Sequence, residues 1–292
     1  MRQFILLMSL FLAAFSQLKG QETEGSSSVI NEFYFHIGVS NERGIQGTLQ
    51  DFHDLAPNSQ ILNRSDLNDY SPETNYSSTS ENSSLFSVML AMPVNKNKFS
   101  PIFRVGLTYF TSTNYGHRLK KETETPLDTL ISTQTGNEYP VSSIQNEAIY
   151  MDFITEQIRL ESSLIFRTNP EARWSLYAGF GISVGAIVNS RTKIRYNTRE
   201  WQEMIKEDGN KQRITNWTSD WTEENHGHDN IMMGATAFVP MGLNLRLGKE
   251  KEFWNLTSLF YEFRPGVNMT FADFDTYSTR LFQHNFGIRV AW

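Results

Sequence analysis

The residues of this chain that carry site chemistry are few and scattered. His226 and His228 stand beside Asp229, which places two imidazoles and a carboxylate within four residues, the donor types of a zinc or similar divalent site. No third ligand follows at a defined spacing, so the segment reads as a solvated loop, and we expect neither a metal nor a cofactor. Cysteine is absent, which removes thiol nucleophiles, thiolate ligands, disulfides and lipid attachment through an N-terminal thiol. His284 has the chemistry of a general base, but no serine with a neighbouring acid is evident beside it, as acyl transfer requires. His36 and His53 stand alone, and there is no glycine-rich phosphate loop. Trp201, Trp217 and Trp221 are a different case, because three large rings in one polar stretch are costly to leave wet. They are binding candidates for a sugar or a protein, or they pack on one another to order the stretch.

What positions these residues is a repeated alternation. In Phe286-Gly287-Ile288-Arg289-Val290-Ala291-Trp292 an apolar side chain returns at every second position, and successive strand side chains point to opposite faces. The same period marks a first strand through Phe33, Phe35, Ile37 and Val39, a second through Phe86 to Met92, and a third through Phe103 to Tyr109. A fourth sets Ile154, Ile158, Leu160, Leu164 and Phe166 against Thr155, Gln157, Arg159, Glu161 and Ser163. The fifth alternates from Trp174 to Val188, longer than a soluble sheet would use, and the sixth from Met233 to Leu247. Pro240 falls on the inner face of the sixth, where a missing N–H predicts a bulge or a broken bond. The seventh runs from Leu256 to Arg264 and ends at Pro265-Gly266; the eighth covers Thr279 to Trp292.

The connections alternate long and short. Residues 41–84, 113–148 and 190–230 read as long polar loops, with short helices expected near Gly47 to Leu55 and Glu200 to Glu207; the last loop on that side takes about ten residues and the three turns on the other side about five to eight. Short turns on one side and long loops on the other are the pattern of bacterial membrane barrels. The fold class expected is therefore all-β: an up-and-down antiparallel transmembrane β-barrel of about eight strands, with ten left open, long extracellular loops and both termini in the periplasm. Phe33, Phe103, Phe166, Trp174, Trp254 and Trp292 fall at strand ends on the side assigned to the periplasm, as an aromatic belt would. A mean hydropathy of -0.42 does not argue against a barrel, since alternating faces average out.

Residues 1–20 hold one early base, Arg2, then an apolar run too short to span a bilayer and small residues at Ala14 and Ser16. They read as a signal peptide, leaving 21–292 as a single barrel domain. Loss of Arg2 and Lys19 takes the formal charge from -6 to -8, so nucleic acid is not an expected partner.

The lumen of an eight-stranded barrel is narrow enough for side chains to fill. Arg104, Arg159, Glu161, Arg246, Glu262, Arg264 and Arg289 take inward positions with glycines and hydroxyl residues. Buried charge is costly unless paired, so a network of Arg and Glu closing the pore is expected. Two other readings remain beside this one. A narrow porin-like channel needs a wider barrel, for which Lys193 to Tyr196 and Arg213 to Trp217 could supply another hairpin. A lipid A-modifying enzyme would centre on His284, the one histidine on an outward strand position, in the outer half of the membrane.

The paired strands, Phe260-Tyr261-Glu262-Phe263-Arg264-Pro265-Gly266 and the closing Asn285 to Trp292 resemble the outer-membrane β-barrel domain proteins of the Bacteroidota, often described as porin-like. The resemblance covers almost the whole mature chain and carries over no catalytic residues. It implies the cell outer membrane as the location, with Phe286, Ile288, Val290 and Trp292 as the signal read by the barrel assembly machinery. Contacts with outer-membrane lipid and lipopolysaccharide follow from that location. The function expected is a non-enzymatic barrel that works through its extracellular loops, in envelope integrity or in binding a glycan or protein ligand.

Overall fold

The computed structural model describes residues 30–42, 45–73, 83–95, 100–169, 172–206, 208–228, 233–248, 252–271 and 276–291. The expected signal peptide, Asp229 and Trp292 lie outside the described residues. In chain order the elements are β1 (Glu32–Glu42), β2 (Ile45–Gln46), α1 (Leu49–Leu55), β3 (Ser71–Pro72), β4 (Ser83–Pro93), β5 (Ile102–Ile131) and β6 (Glu138–Arg167). They continue with β7 (Trp174–Ile205), β8 (Lys211–Arg213), β9 (Thr218–His228), β10 (Met233–Phe238), β11 (Met241–Arg246), α2 (Glu252–Leu256), β12 (Thr257–Phe271) and β13 (Thr276–Ala291).

Eight strand positions close a ring of antiparallel neighbours: β1, β4, β5, β6, β7, the β10 and β11 pair, β12 and β13. The seam is continuous, with β1 and β13 in register from Glu32 opposite Ala291 to Glu42 opposite Leu281. β10 and β11 are two halves of one strand, since each pairs with both β7 and β12. They part at Val239 and Pro240, where the sequence predicts an interruption. Two bonds carry the wall across the gap, Val239 N–H to the Pro265 carbonyl and Gly179 N–H to the Pro240 carbonyl, both 2.9 Å.

The faces are inverted relative to a water-soluble sheet. Along β7 the outward Leu176, Phe180 and Ile182 are 60%, 68% and 59% exposed, while Arg104, Arg159 and Arg264 are wholly buried inside. Such an outer belt is stable in hydrocarbon, and there every backbone polar group must find a partner, which a closed ring provides. The chain is an eight-stranded transmembrane β-barrel, and the ten-strand alternative does not form. Lys193 to Tyr196 do pair, with Thr222 to Asn225, and Arg213 pairs with Glu203, but these pairings lie beyond the ring rather than within it.

The long connections are corrected by the structure. Most of 113–148 and 190–230 is strand: β5 and β6 stay paired from Ile102–Ile165 out to Ile131–Glu138, and β7 continues to Ile205 through the segment expected to be helical near Glu200 to Glu207. At 120–125 and 197–200 the extended pieces are polar on both faces, so there they lack the apolar contrast that marks a strand in sequence. Strands already aligned by the ring supply them with partners. β12 likewise does not stop at Pro265-Gly266 but runs to Phe271, because Pro265 stands opposite the gap in the facing strand. A short helix, α2, was not expected before β12, and it carries Trp254.

We call the extension of β5, β6, β7 and β9 beyond the ring the crown. The segment between β1 and β4 folds against it. α1 starts at Thr48 with a capping box, Asp51 N–H to Thr48 Oγ1 at 3.2 Å and Thr48 N–H to Asp51 Oδ2 at 2.7 Å. Its Phe52 packs with Ala56, Leu62 and Tyr70 on Leu119, Ile149, Met151, Phe153 and Ile194 of the crown. β2 and β3 add to the β5 edge beside them. The crown thus has a hydrophobic core of its own, continuous with the face that lines the lumen below.

Candidate functional site

The lumen holds three polar layers. Nearest the chain ends, Glu32 accepts from Tyr34 Oη at 2.7 Å and from Arg167 at 3.0 Å, and Arg289 approaches it at 3.6 Å. In the middle, Arg104 donates to Glu262 at 2.8 Å and to Ser163 Oγ at 3.0 Å. Arg264 pairs with Glu161 at 2.9 Å, bonds Glu262 closely as well, and donates to His36 Nε2 at 3.3 Å. Thr108 donates to Glu161 at 2.8 Å. All five charged or aromatic members, Arg104, Glu161, Glu262, Arg264 and His36, are buried, so their charges are balanced within the layer.

Arg159 stands apart in the third layer. It bonds Gln157 and Asn268 at 2.8 Å each, and also Thr236, and lies 4.5 Å over the Phe110 ring. Arg264 covers Phe238 in the same way at 4.7 Å. Between these layers a polar cavity of about 10 Å³ is lined in part by Thr108, Glu161, Arg159 and Arg264, about the room for one water. Of the inward charges read from the sequence, the structure therefore brings together Arg104, Glu161, Glu262 and Arg264. It puts Arg289 with Glu32, and Arg159 with Gln157, Thr236 and Asn268. Arg246 is half-buried near the short turn, 3.5 Å from Asn255. Glu32, Tyr34 and Arg167 were not singled out, and His36, read as standing alone, bonds Arg264; Glu32, Tyr34 and His36 sit on the inward positions of the first strand.

On the outer wall His284 Nδ1 lies 2.7 Å from Tyr261 Oη, and the ring packs against Phe263 at 5.1 Å and Tyr261 at 6.2 Å. The pair satisfies its polar atoms within an apolar belt. Phe286 and Ile288 point outward at 59% and 41% exposure, and Val290 shares their side of β13.

In the crown, the loop from Ser59 to Ile61 is held by Glu224 of β9, which accepts from Ser59 Oγ at 2.6 Å and from Gln60 N–H and Ile61 N–H at 3.1 Å. Glu147 accepts from Tyr70 at 2.9 Å and from Tyr196. Burial works against the Glu224 charge, yet the bonds from Ser59, His226 and Ile61 hold its pKa below the ordinary carboxylate value. His117 lies in the same contact region, with a bond to the Gly47 backbone, and burial holds its pKa below the ordinary imidazole value. His228 turns to Thr192 Oγ1 at 2.9 Å and His226 to Glu224 at 3.2 Å, so the two imidazoles serve different partners rather than one centre.

The three tryptophans do not form a cluster. Trp201 lies under Arg213 at 4.8 Å, Trp217 under Arg199 at 5.3 Å, and Trp221 stacks on Tyr150 with centroids 6.1 Å apart. Trp217 and Trp221 are 51% and 49% exposed. Trp201 and Trp221 sit on β7 and β9 rather than in a loop, whereas Trp217 lies in the connection from β8 to β9.

These features define a closed-lumen transmembrane β-barrel with a folded crown at one end. No family model matches the chain, and no curated protein matches it. Among solved structures it is similar to the beta domain of the Bordetella autotransporter BrkA, at 8% identity over 91% of this chain and 100% of that one, with a TM-score of 0.26. So distant a likeness does not bear on function.

Two predictions follow from these contacts. Arg104→Met leaves Glu161 and Glu262 to share Arg264 alone, one negative charge in excess in the lumen, and costs about 3–5 kcal/mol in urea unfolding from lipid vesicles, whereas Arg104→Met with Glu262→Met restores the balance and recovers most of the loss. Equal losses in both would contradict a paired layer. For the crown, lowered pKa values on His117 and Glu224 mean that the unfolded segment binds more protons than the folded one. Stability is then complete above about pH 6.5, falls first as His117 is forced to charge, and falls again through the carboxylate range. Protease protection of residues 45–73 in reconstituted protein should follow that course, and His117→Gln should remove its first step.

Proposed function

We propose that this protein resides in a bacterial outer membrane with both termini in the periplasm, and that it works as a non-enzymatic binding protein whose crown faces the outside. The observation that carries this reading is the separate hydrophobic core of the crown. Closing a barrel requires only short connections, yet here three strands of the ring, β5, β6 and β7, continue past the belt, β9 pairs beside β7, and a segment with a capped helix packs on this sheet. That construction holds a surface in fixed shape, as a recognition surface needs. Exposed Trp217 and Trp221 on that surface suit a glycan or protein ligand. Lipid and lipopolysaccharide would surround the belt, and the strand ending in Phe286, Ile288 and Val290 would be the part read by the assembly machinery.

The same reading assigns the lumen to support rather than transport, in keeping with its paired Arg and Glu residues. It assigns His284 to the belt, since its hydrogen-bond partner is Tyr261. Replacing residues 122–146 and 192–226 by short turns, which removes β9 with Trp201, Trp217 and Trp221, should leave a barrel that still shifts on unboiled gels but abolish ligand capture by intact cells. Both proteins should be silent in planar bilayers. Steady single-channel conductance from the full chain, or undiminished capture by the trimmed one, would overturn the proposal.

A further inference from the structure

The lipid-facing wall continues upward as the outer face of the crown. β6 passes from one to the other without an extra residue, so the exposed Leu160 and Ile158 of the belt share a side with Glu156, Asp152 and Tyr150 above them. On β7, Ile194 and Tyr196 pack into the crown core, which turns Arg195, Asn197, Arg199 and Trp201 to that same outer side. Trp221 stands opposite Asn197 and stacks on Tyr150, and Trp217 lies against Arg199. Tyr150, Trp221, Trp217 and Trp201 therefore follow one another up a single face, from the row of Arg195 to Trp201, a rise of about 20 Å along the strand.

The charges at the foot of this face are paired: Arg191 with Glu156 and Lys193 with Glu223 at 3.0 Å, Arg195 with Asp152 and Arg118 with Glu73 at 2.9 Å. As pairs they give the foot no net charge with which to select an ionic partner. What the face offers instead is rings, with Trp217 and Trp221 half-exposed among hydrogen-bonding side chains. An aromatic face covers the apolar side of a sugar ring while polar neighbours meet its hydroxyls. The place of the rings decides which saccharide: the face joins the lipid-contacting wall without a step, so a sugar chain anchored in the leaflet beside the barrel runs along it from its base. We propose that the outer face of the crown is a track for the neutral saccharide chain of a glycolipid in the adjoining leaflet. This inference rests on the reading of the crown as a binding surface and names the kind of ligand that surface takes.

The test places the full chain in phosphatidylcholine nanodiscs, plain or doped with a glycolipid bearing a neutral tetrasaccharide or with phosphatidylglycerol, and reads hydroxyl-radical oxidation of the tryptophans by peptide mass spectrometry. The glycolipid should lower oxidation of Trp217 and Trp221 at least fivefold, and phosphatidylglycerol should leave it unchanged. The free tetrasaccharide, added to plain discs at the same concentration, should also leave it unchanged, because anchoring is what concentrates the chain at the track. Trp217→Ala with Trp221→Ala should lower the glycolipid that copurifies with the protein at least tenfold. Equal protection by phosphatidylglycerol overturns sugar recognition, equal protection by the free tetrasaccharide overturns the membrane source, and unchanged copurification overturns the role of the rings. Absence of protection in every disc overturns the inference as a whole; the crown function is then judged separately, by ligand capture with the full and the trimmed chains.

Discussion

Everything in this structure depends on satisfying the backbone where water is absent. A strand crossing hydrocarbon must bond on both sides, and the only sheet without free edges is a closed one. That single demand explains the seam between β1 and β13, and it explains why the wall stays bonded across the Pro240 gap through the Val239 and Pro240 bonds. It also inverts the usual distribution of residue types. Leu176, Phe180 and Ile182 belong outside because lipid is there, and the charged side chains are left to share the interior.

The interior is then a problem in neutralisation. Arg104, Arg264, Glu161 and Glu262 answer it by pairing across strands that are distant in sequence, so the network ties β5, β6 and β12 together through the lumen. Glycines allow the walls to approach these groups. At Gly287 a Cβ would meet the Phe35 carbonyl oxygen at 2.2 Å, and at Gly234 it would meet the Gln157 amide that orients Arg159. The crown obeys ordinary aqueous rules instead: apolar residues inside, charged pairs such as Lys211 with Glu124 and Lys193 with Glu223 at the surface. One chain therefore carries two solvent regimes along the same strands, changing over near the bulge between Glu156 and Gln157.

Much of the ring was legible in sequence because lipid enforces period two on one face of each strand. The faces of β7, the interruption at Pro240 and the helix after Gly47 all follow from local residue types. The crown was not legible, since Lys120 to Thr125 and Asn197 to Glu200 alternate between one polar residue and another. Nor did the sequence tell which lumen charges meet. Arg159 and Arg264 look alike on their strands, yet register places a carboxylate beside one and Gln157, Thr236 and Asn268 around the other. The apolar residues Ile61, Leu62, Leu67 and Tyr70 inside the first polar stretch were the available sign that it folds, and they were too far apart to show a period.

The most direct test of this account exploits the absence of cysteine, which lets a single spin label be placed at each position from Trp174 to Val188 in turn. In lipid vesicles, oxygen accessibility should alternate strictly, high at Leu176, Ala178, Phe180, Ile182 and Val184 and low at the residues between. A uniform profile, or a period near that of a helix, would contradict the barrel wall.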